Sequence, residues 1–264
     1  MAALLIVTGL IRVVRRYQSQ LRRGFTLLIG YLPRIGIVER STIRTRAVFS
    51  NSYLVAHLVL GLALTMAVSG FVVIAEDVVG GGDMVAFDIA FARALQDASS
   101  PDSERFFAAV SWLGEREAIA VAGLAVAGWL LRHGLLLSAW WIAAQAGGGL
   151  LNLVLKRTFE RTRPEYADPL LAASSWSFPS GHAMGTFILF GLGCYVIVRQ
   201  TRSWTAATIV ISASLSWCLV MAFSRLYLGV HFASDVMAGV VAGVAWVAVC
   251  ASAFEMIRRR ATPL

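Results

Sequence analysis

The sequence predicts an all-α membrane protein, a polytopic bundle of six transmembrane helices with an amphipathic helix in its first outer loop. Of the 264 residues, 58% are hydrophobic and only 14% are charged. The apolar residues occur in long uncharged blocks, several of which approach or exceed the ~20 residues that a helix needs to cross a bilayer. This composition is too apolar for a soluble domain of such length, so the soluble-enzyme class is excluded.

The six candidate spans are separated by charged or turn-forming segments. They cover residues 53–75, 117–131, 134–155, 183–198, 204–223 and 236–256. The second and fourth are short, so we expect their polar flanks to enter the membrane region. In the acidic first loop, residues 83–97 place apolar side chains at helical spacing, which predicts an amphipathic helix lying on the outer surface.

The distribution of arginine predicts the orientation of the chain. The net charge is +8, and residues 1–50 carry nine arginines and one acidic residue. We interpret residues 1–46 as a basic cytoplasmic or interfacial segment and residues 47–264 as the membrane domain. With six spans, both termini are cytoplasmic, and the expected location is a bacterial inner membrane.

Three polar clusters follow or precede the predicted spans and fall on the same, periplasmic side. They are KRTFERTRP at 156–164, PSGH at 179–182 and SRLYLGVHFASD at 224–235. Together they carry more cations than acids, against the tendency of positive charge to remain in the cytoplasm. This excess predicts that the cations bind an anion.

Lys156 and Arg163 are seven residues apart, so on one helix they would share a face. Pro164 predicts that the helix ends near Arg163. An ammonium and a planar guanidinium suit a phosphate. The alternative is a basic anchor whose side chains reach lipid headgroups.

The PSGH cluster has the features of a helix start. Ser180 is a favourable N-cap residue, and Gly181 permits close approach of a ligand to the backbone. The free N–H groups of a helix N-terminus bind anions, and His182 in the first turn is placed to donate a proton. The alternative is a capped helix whose histidine meets interfacial water.

His231 and Asp235 stand four residues apart, which predicts one helix face and a carboxylate that fixes the imidazole tautomer. Arg225 adds a further cation. The alternative is a structural His–Asp pair. No carboxylate cluster indicates Mg²⁺ or Ca²⁺, and two histidines make a poor Zn²⁺ site, so we expect neither a metal nor a cofactor.

These residues resemble the type 2 phosphatidic acid phosphatase superfamily, the lipid phosphate phosphatases. Its signature K-x6-RP, PSGH and SR-x5-H-x3-D is complete here, and the similarity extends over about residues 50–256. The resemblance implies that His231 is a nucleophile forming phosphohistidine, oriented by Asp235, and that His182 is the proton donor. It further implies a phosphate pocket without metal, formed by Lys156, Arg163, Ser180, Gly181 and Arg225.

The layout is similar to bacterial undecaprenyl-diphosphate and phosphatidylglycerophosphate phosphatases. The expected partner is a membrane lipid with a phosphate or diphosphate headgroup, and an outward-facing site favours undecaprenyl diphosphate. Phosphatidylglycerophosphate, phosphatidic acid and lipid A phosphates are the alternatives. A lipid phosphotransferase would carry the same motifs, whereas a silent lipid-binding scaffold would carry degenerate ones. The sequence leaves the lipid, the acceptor, the oligomeric state and the role of residues 1–46 open.

Overall fold

The computed structural model describes residues 51–164, 175–201 and 203–261. Over these ranges the chain forms α-helices, one 3-10 helix and connecting turns. The N-terminal segment 1–46 lies outside the described residues, so its assignment stays a prediction.

Eight α-helices follow one another in the described part of the chain. They are α1 Asn51–Gly80, α2 Asp83–Asp97, α3 Pro101–Trp112, α4 Arg116–Leu130, α5 Leu135–Phe159, α6 Gly181–Gln200, α7 Trp204–Tyr227 and α8 Ala233–Ala261. The 3-10 helix Leu131–His133 joins α4 to α5.

Four of these helices, α1, α6, α7 and α8, are long and apolar enough to cross a membrane. α4 has 15 residues, and α5 carries Gln145, Asn152 and Lys156 among its apolar residues. Neither helix meets the same criterion of length and composition. Helices therefore occupy all six predicted spans, but four of them qualify as membrane-crossing by their own sequence.

α8 occupies the middle of the bundle and packs mainly against α1 and α6. Close packing of α6 and α8 depends on Gly239, whose added Cβ would lie 2.6 Å from the carbonyl oxygen of Ser180. Small residues at such interfaces let helix backbones approach closely, which is how membrane helices gain packing energy. The start of α6 is thereby fixed against the first turns of α8.

α2 covers the segment in which the sequence predicts a helix, and its buried residues are Asp88 and Ala92. α3 was not predicted, although its start carries a local pattern. Ser100 is the N-cap, its side chain accepts from the backbone N–H of Ser103, and Pro101 occupies the first turn. Both features are typical of helix N-termini.

Two predicted helix geometries are wrong. α5 ends at Phe159 because Glu160 adopts a left-handed conformation, with φ of 45°, so Lys156 and Arg163 share no helix face. α8 begins at Ala233, so His231 lies in the preceding turn and not on a helix with Asp235. The turn at Glu160 separates Lys156 from Arg163, and the turn before α8 separates His231 from Asp235.

Candidate active site

The three polar clusters converge at one end of the bundle. The chain leaves α5 and runs through residues 160–164, residues 175–180 enter α6, and the turn 228–232 links α7 to α8. Phe178 is fully buried between Phe71 of α1 and Phe159 of α5, with ring centroids 5.7 and 4.9 Å away. This aromatic contact holds the residues before α6 against the bundle. The Phe178–Pro179 peptide bond is cis.

Ser180 links the start of α6 to α8. Its side chain caps α6 by accepting from the backbone N–H of Ala183 at 3.5 Å, as the sequence predicts. Its own backbone N–H donates to the carbonyl oxygen of Asp235 at 2.9 Å. One backbone hydrogen bond therefore sets the position of the PSGH segment relative to the His–Asp pair.

His231 is held in the turn between α7 and α8. Gly229 in this turn has φ of 64°, a conformation that side chains other than glycine rarely adopt. The ring Nδ1 lies 3.4 Å from Oδ2 of Asp235, and Nε2 lies 3.4 Å from Nη1 of Arg163. One nitrogen therefore faces a carboxylate, and the other faces a cation.

Burial lowers the pKa of His231 to about 3, because desolvation disfavours the imidazolium. The hydrogen bond and the charge of Asp235 act in the opposite direction but are smaller, and Arg225 and Arg163 add to the lowering. The ring is therefore neutral near pH 7. We assign its proton to Nδ1, which faces the carboxylate, and its lone pair to Nε2.

Asp235 is buried and is contacted on both oxygens. Oδ1 accepts from Nη1 of Arg161 at 2.7 Å. Oδ2 accepts from the backbone N–H of Phe232 at 2.9 Å and from the hydroxyl of Ser177, and it faces His231. Because its partners come from different directions, the carboxylate has one orientation.

Arg163 is anchored by backbone groups on both sides of the site. Its Nη1 donates to the carbonyl oxygen of Val230 at 2.7 Å, and its Nε donates to that of Ser175 at 3.0 Å. These bonds direct the guanidinium to His231. Burial is the main cause that lowers the pKa of Arg163, and its normal value is so high that it stays charged at neutral pH.

Lys156, the only lysine in the sequence, is buried at the end of α5. Its Nζ donates to the carbonyl oxygen of Trp176. A Cβ added at Gly181 would lie 3.9 Å from Cε of Lys156 and 3.1 Å from Oδ1 of Asn152. The lysine stem therefore lies beside the glycine that opens α6.

Arg225, near the end of α7, is 2% exposed. Its Nη1 donates to the hydroxyl of Ser111 on α3, and its Nε has no hydrogen-bond partner among the described residues. The charge of Arg225 contributes to the lowered pKa values of both Glu115 and His231. The guanidinium thus lies between the two histidine-containing sides of the site.

His182, in the first turn of α6, faces a carboxylate that the sequence did not single out. Its Nε2 lies 3.5 Å from Oε1 of Glu115, which precedes α4. The contact with His182 is the largest cause that lowers the pKa of Glu115, and the charges of Arg225 and Arg116 add to it. Glu115 is therefore an anion near neutral pH and favours the protonated form of His182.

Sequence reasoning singled out eight candidate site residues but missed several residues that contact them or their immediate partners. These are Asp88, Ser111, Glu115, Arg161 and Ser177. Ser177 stands directly before the PSGH cluster, and Arg161 is part of the first cluster. Asp88, Ser111 and Glu115 carry no local pattern, because their contacts come from chain segments far apart in sequence.

Within the described ranges, no three His, Cys, Asp or Glu side chains form a group that could hold a metal ion. The absence of a metal requirement stays a prediction, which chelation tests directly. The three cysteines are free, and Cys218 and Cys250 are buried.

Residues 136–259 match the PAP2 superfamily model. A decaprenylphosphoryl-5-phosphoribose phosphatase from Mycolicibacterium smegmatis is 37% identical over 137 residues, which cover 50% of this chain and 68% of that protein. Phosphatidylglycerophosphatase B from Bacillus subtilis is 42% identical over 97 residues, which cover 36% of this chain. The chain belongs to the PAP2 superfamily.

The match to phosphatidylglycerophosphatase B spans 47%, or about half, of that relative's length. In three dimensions, the chain resembles a crystal structure of a transmembrane PAP2-type phosphatidylglycerolphosphate phosphatase from Bacillus subtilis. The TM-score is 0.64 at 26% sequence identity, and the alignment covers 74% of this chain and 96% of that one. The likeness therefore extends beyond the motif region to the helical bundle.

Proposed function

We propose that the protein is a metal-independent membrane phosphatase that removes the terminal phosphate of a lipid phosphate or diphosphate through a phosphohistidine intermediate. One observation carries the proposal. The neutral ring of His231 has Asp235 behind Nδ1 and the guanidinium of Arg163 in front of Nε2. A lone pair aimed at a cationic pocket is what attack on a phosphate requires.

In the first step, Nε2 of His231 attacks the terminal phosphorus, forming an N–P bond as the P–O bond to the lipid breaks. His182 donates its proton to the departing oxygen, and Asp235 stabilises the positive charge that develops on the His231 ring. Lys156, Arg163, Arg225, the Ser180 side chain and the Gly181 N–H bind the non-bridging oxygens. These cations supply the neutralisation that metals supply in other phosphoryl-transfer enzymes.

In the second step, His182 accepts a proton from water as the water oxygen attacks the phosphorus of phosphohistidine. The N–P bond breaks, its electron pair returns to Nε2 of His231, and inorganic phosphate leaves. Both histidines are then in their starting protonation states. In a phosphotransferase, a lipid hydroxyl takes the place of water.

We propose a polyprenyl lipid, with undecaprenyl diphosphate favoured, as the substrate. The Mycolicibacterium smegmatis relative is named for a decaprenylphosphoryl substrate, which supports the polyprenyl class. Phosphatidylglycerophosphate is the second candidate, because a similar sequence and a similar solved structure, both from Bacillus subtilis, are named for its phosphatase. Phosphatidic acid and lipid A phosphates complete the set of headgroups that the same cations would bind.

The proposed topology has six spans in a bacterial inner membrane, with cytoplasmic termini, a periplasmic site and α2 on the outer surface. It rests on four long apolar helices, on the 15-residue α4 and the more polar α5 as the remaining two spans, and on the placement of arginine. α2 supports a surface position because its apolar residues Phe87 and Ile89 are exposed while Asp88 between them is buried.

The test of activity is phosphate release by the purified protein in detergent, without added metal. The panel contains undecaprenyl diphosphate, phosphatidylglycerophosphate, phosphatidic acid and lipid A, each assayed with wild type and His231→Ala. We expect release from at least one lipid and none in the variant. Equal release by both proteins would remove the nucleophile role from His231. If no lipid releases phosphate in water, added lipid alcohols test for transfer.

The test of topology uses a background in which Cys194, Cys218 and Cys250 are replaced by alanine. Asp102→Cys, at a site 96% exposed, should react with an impermeant maleimide in intact spheroplasts. Arg132→Cys, in the 3-10 helix, should react only after lysis. The reverse pattern would place the site in the cytoplasm.

A further inference from the structure

Behind the His231–Asp235 pair lies a second ion pair, formed by buried Asp88 and partly buried Arg161, that the proposed mechanism does not use. Nη2 of Arg161 lies 2.9 Å from Oδ2 of Asp88, and Nη1 lies 2.7 Å from Oδ1 of Asp235. The Asp88 and Asp235 side chains are 0% exposed, and that of Arg161 is 13% exposed. The three side chains form an alternating line of charges that ends at His231.

The terminal nitrogens of the Arg161 guanidinium bind two carboxylates, and no hydrogen bond joins Arg161 to His231 among the described residues. Nη1 also donates to the hydroxyl of Ser234 at 2.6 Å, and the guanidinium carbon lies 4.4 Å from the ring centroid of Phe232. Both terminal nitrogens of Arg161 are thus bound by acidic or hydroxyl groups of the protein. Arg161 differs in this from Arg163, whose Nη1 faces Nε2 of His231 at 3.4 Å.

Asp88 contacts the first turn of α8 as well as Arg161. Its Oδ1 accepts from the backbone N–H of Ser234 at 2.9 Å, and its Oδ2 accepts from the hydroxyl of the same serine. The carboxylate thus caps α8 at the turn that carries Asp235, where an anion is favoured by the helix N-terminus. Asp88 belongs to α2, so this contact joins the first loop to the catalytic turn.

We propose that Arg161 and Asp88 are positioning residues that orient and charge-balance Asp235, and through it set the nucleophilicity of His231. The inference rests on the proposed role of His231. The two carboxylates of Asp88 and Asp235 and the one guanidinium of Arg161 together carry one net negative charge. This charge stabilises the positive charge that develops on the His231 ring during attack. In metal sites, removing the hydrogen-bond partner of a liganding histidine or carboxylate lowers affinity or activity by about 10- to 100-fold. We expect a loss of similar size when the partners of Asp235 are removed.

The first measurement is the steady-state kinetics of Arg161→Gln and Asp88→Asn on the lipid that wild type hydrolyses best. We expect kcat to fall roughly 10- to 100-fold in Arg161→Gln and about tenfold in Asp88→Asn, with KM within about threefold of wild type. Arg161→Lys should recover part of kcat, because an ammonium reaches one carboxylate but cannot bridge two as a fork. Arg157→Gln and Asp97→Asn, exposed positions on α5 and α2, are matched controls and should behave as wild type.

A double-variant comparison tests whether the two residues act as a unit. If Asp88 works through Arg161, adding Asp88→Asn to Arg161→Gln should lower kcat little further. Independent, multiplicative losses would overturn the proposed line of charges. A rise in KM alone, with kcat unchanged, would make Arg161 a substrate-binding residue and would also overturn it.

Binding of two inorganic anions distinguishes a failure of this inference from a failure of the proposed function and from misfolding of a variant. Under the proposed mechanism, orthovanadate forms a bond to Nε2 of His231, whereas inorganic phosphate contacts only the cations. In variants that keep the wild-type thermal unfolding midpoint, we expect vanadate to bind at least tenfold more weakly and phosphate to bind unchanged. If wild type hydrolyses no lipid, the proposed function fails, and this comparison still decides the inference. Unchanged vanadate affinity, or loss of both anions in a folded variant, would overturn it.

Discussion

Oε1 of Glu115 lies 3.5 Å from Nε2 of His182, on the side of the site formed by α4 and α6. The two residues are 67 positions apart in the sequence, yet the contact joins the proposed proton donor to an anion. Arg225 lies close enough to lower the pKa of Glu115 as well. The donor is therefore set between one carboxylate and the cations of the phosphate pocket.

Replacing Glu115 by glutamine should weaken proton donation. The carboxylate favours the imidazolium form of His182, so its loss should shift the alkaline limb of the kcat–pH profile to lower pH. A partly exposed charge-assisted contact is worth about 1 kcal/mol, which corresponds to roughly fivefold in kcat above neutral pH. Glu117→Gln, on an exposed position of the same helix, is the control. An unchanged profile would show that Glu115 has no part in proton transfer.

The buried neutral ring of His231 should make stability depend on pH. Its pKa is about 3 in the folded protein and about 6.5 in an unfolded chain, so between these two pH values the unfolded chain binds a proton that the folded protein does not. Native stability should therefore fall as pH drops, by on the order of 2 kcal/mol between pH 7 and pH 5, with no contribution above that range.

Unfolding of the detergent-solubilised protein at several pH values measures this dependence. His231→Asn removes the titrating ring, and its stability should vary less between pH 7 and pH 5 than that of wild type. His133→Asn, at an exposed position, should keep the wild-type dependence. Parallel curves for wild type and His231→Asn would contradict a buried neutral imidazole.

Gly239→Ala should damage both packing and catalysis. The added Cβ would lie 2.6 Å from the carbonyl oxygen of Ser180, a backbone atom that cannot rotate away. We expect a loss of about 1 to 3 kcal/mol in the free energy of unfolding, together with lower kcat, because the start of α6 must shift. Gly149→Ala, which meets no atom within 4 Å, is the control and should be neutral or stabilising by up to about 1 kcal/mol. A fully active, stable Gly239→Ala protein would show that α6 tolerates displacement.

Two reagents test the metal-free reaction: EDTA tests for a required metal, and orthovanadate tests for the five-coordinate phosphate. EDTA should leave phosphate release unchanged, because the proposed neutralising groups are side chains and backbone N–H groups. Orthovanadate should inhibit competitively by taking the five-coordinate geometry of the transferring phosphate. Restoration of an EDTA-treated enzyme by a divalent cation would require a metal in the mechanism.

Local patterns predicted the features that depend on neighbouring residues. The Ser180 cap, the helix over 83–97 and the grouping of three motifs at one end of the bundle all follow from spacing along the chain. The shared helix face of Lys156 and Arg163 was predicted wrongly, because nothing in the spacing reveals the left-handed turn at Glu160. α3 was missed although Ser100 and Pro101 mark its start.

The contacts that no local pattern revealed are those between distant segments. Arg161 is one of several arginines in its cluster, and Asp88 is one of several acids in the first loop. Only the folded chain shows that their side chains are 2.9 Å apart, with Asp88 buried and Arg161 partly buried. The sequence therefore predicts which residues are chemically suited to the site, whereas the choice among similar charges requires the packing of α2 against α7 and α8.

The buried contact of Asp88 also has a consequence for chimaeric proteins. All three signature motifs lie within residues 136–259, whereas α2 precedes that segment. If 136–259 is transplanted onto opening helices that have no carboxylate at the place of Asp88, Arg161 and Asp235 lose the third member of their set. We therefore expect such an exchange to retain activity only when residues 83–97 are transferred with the motifs.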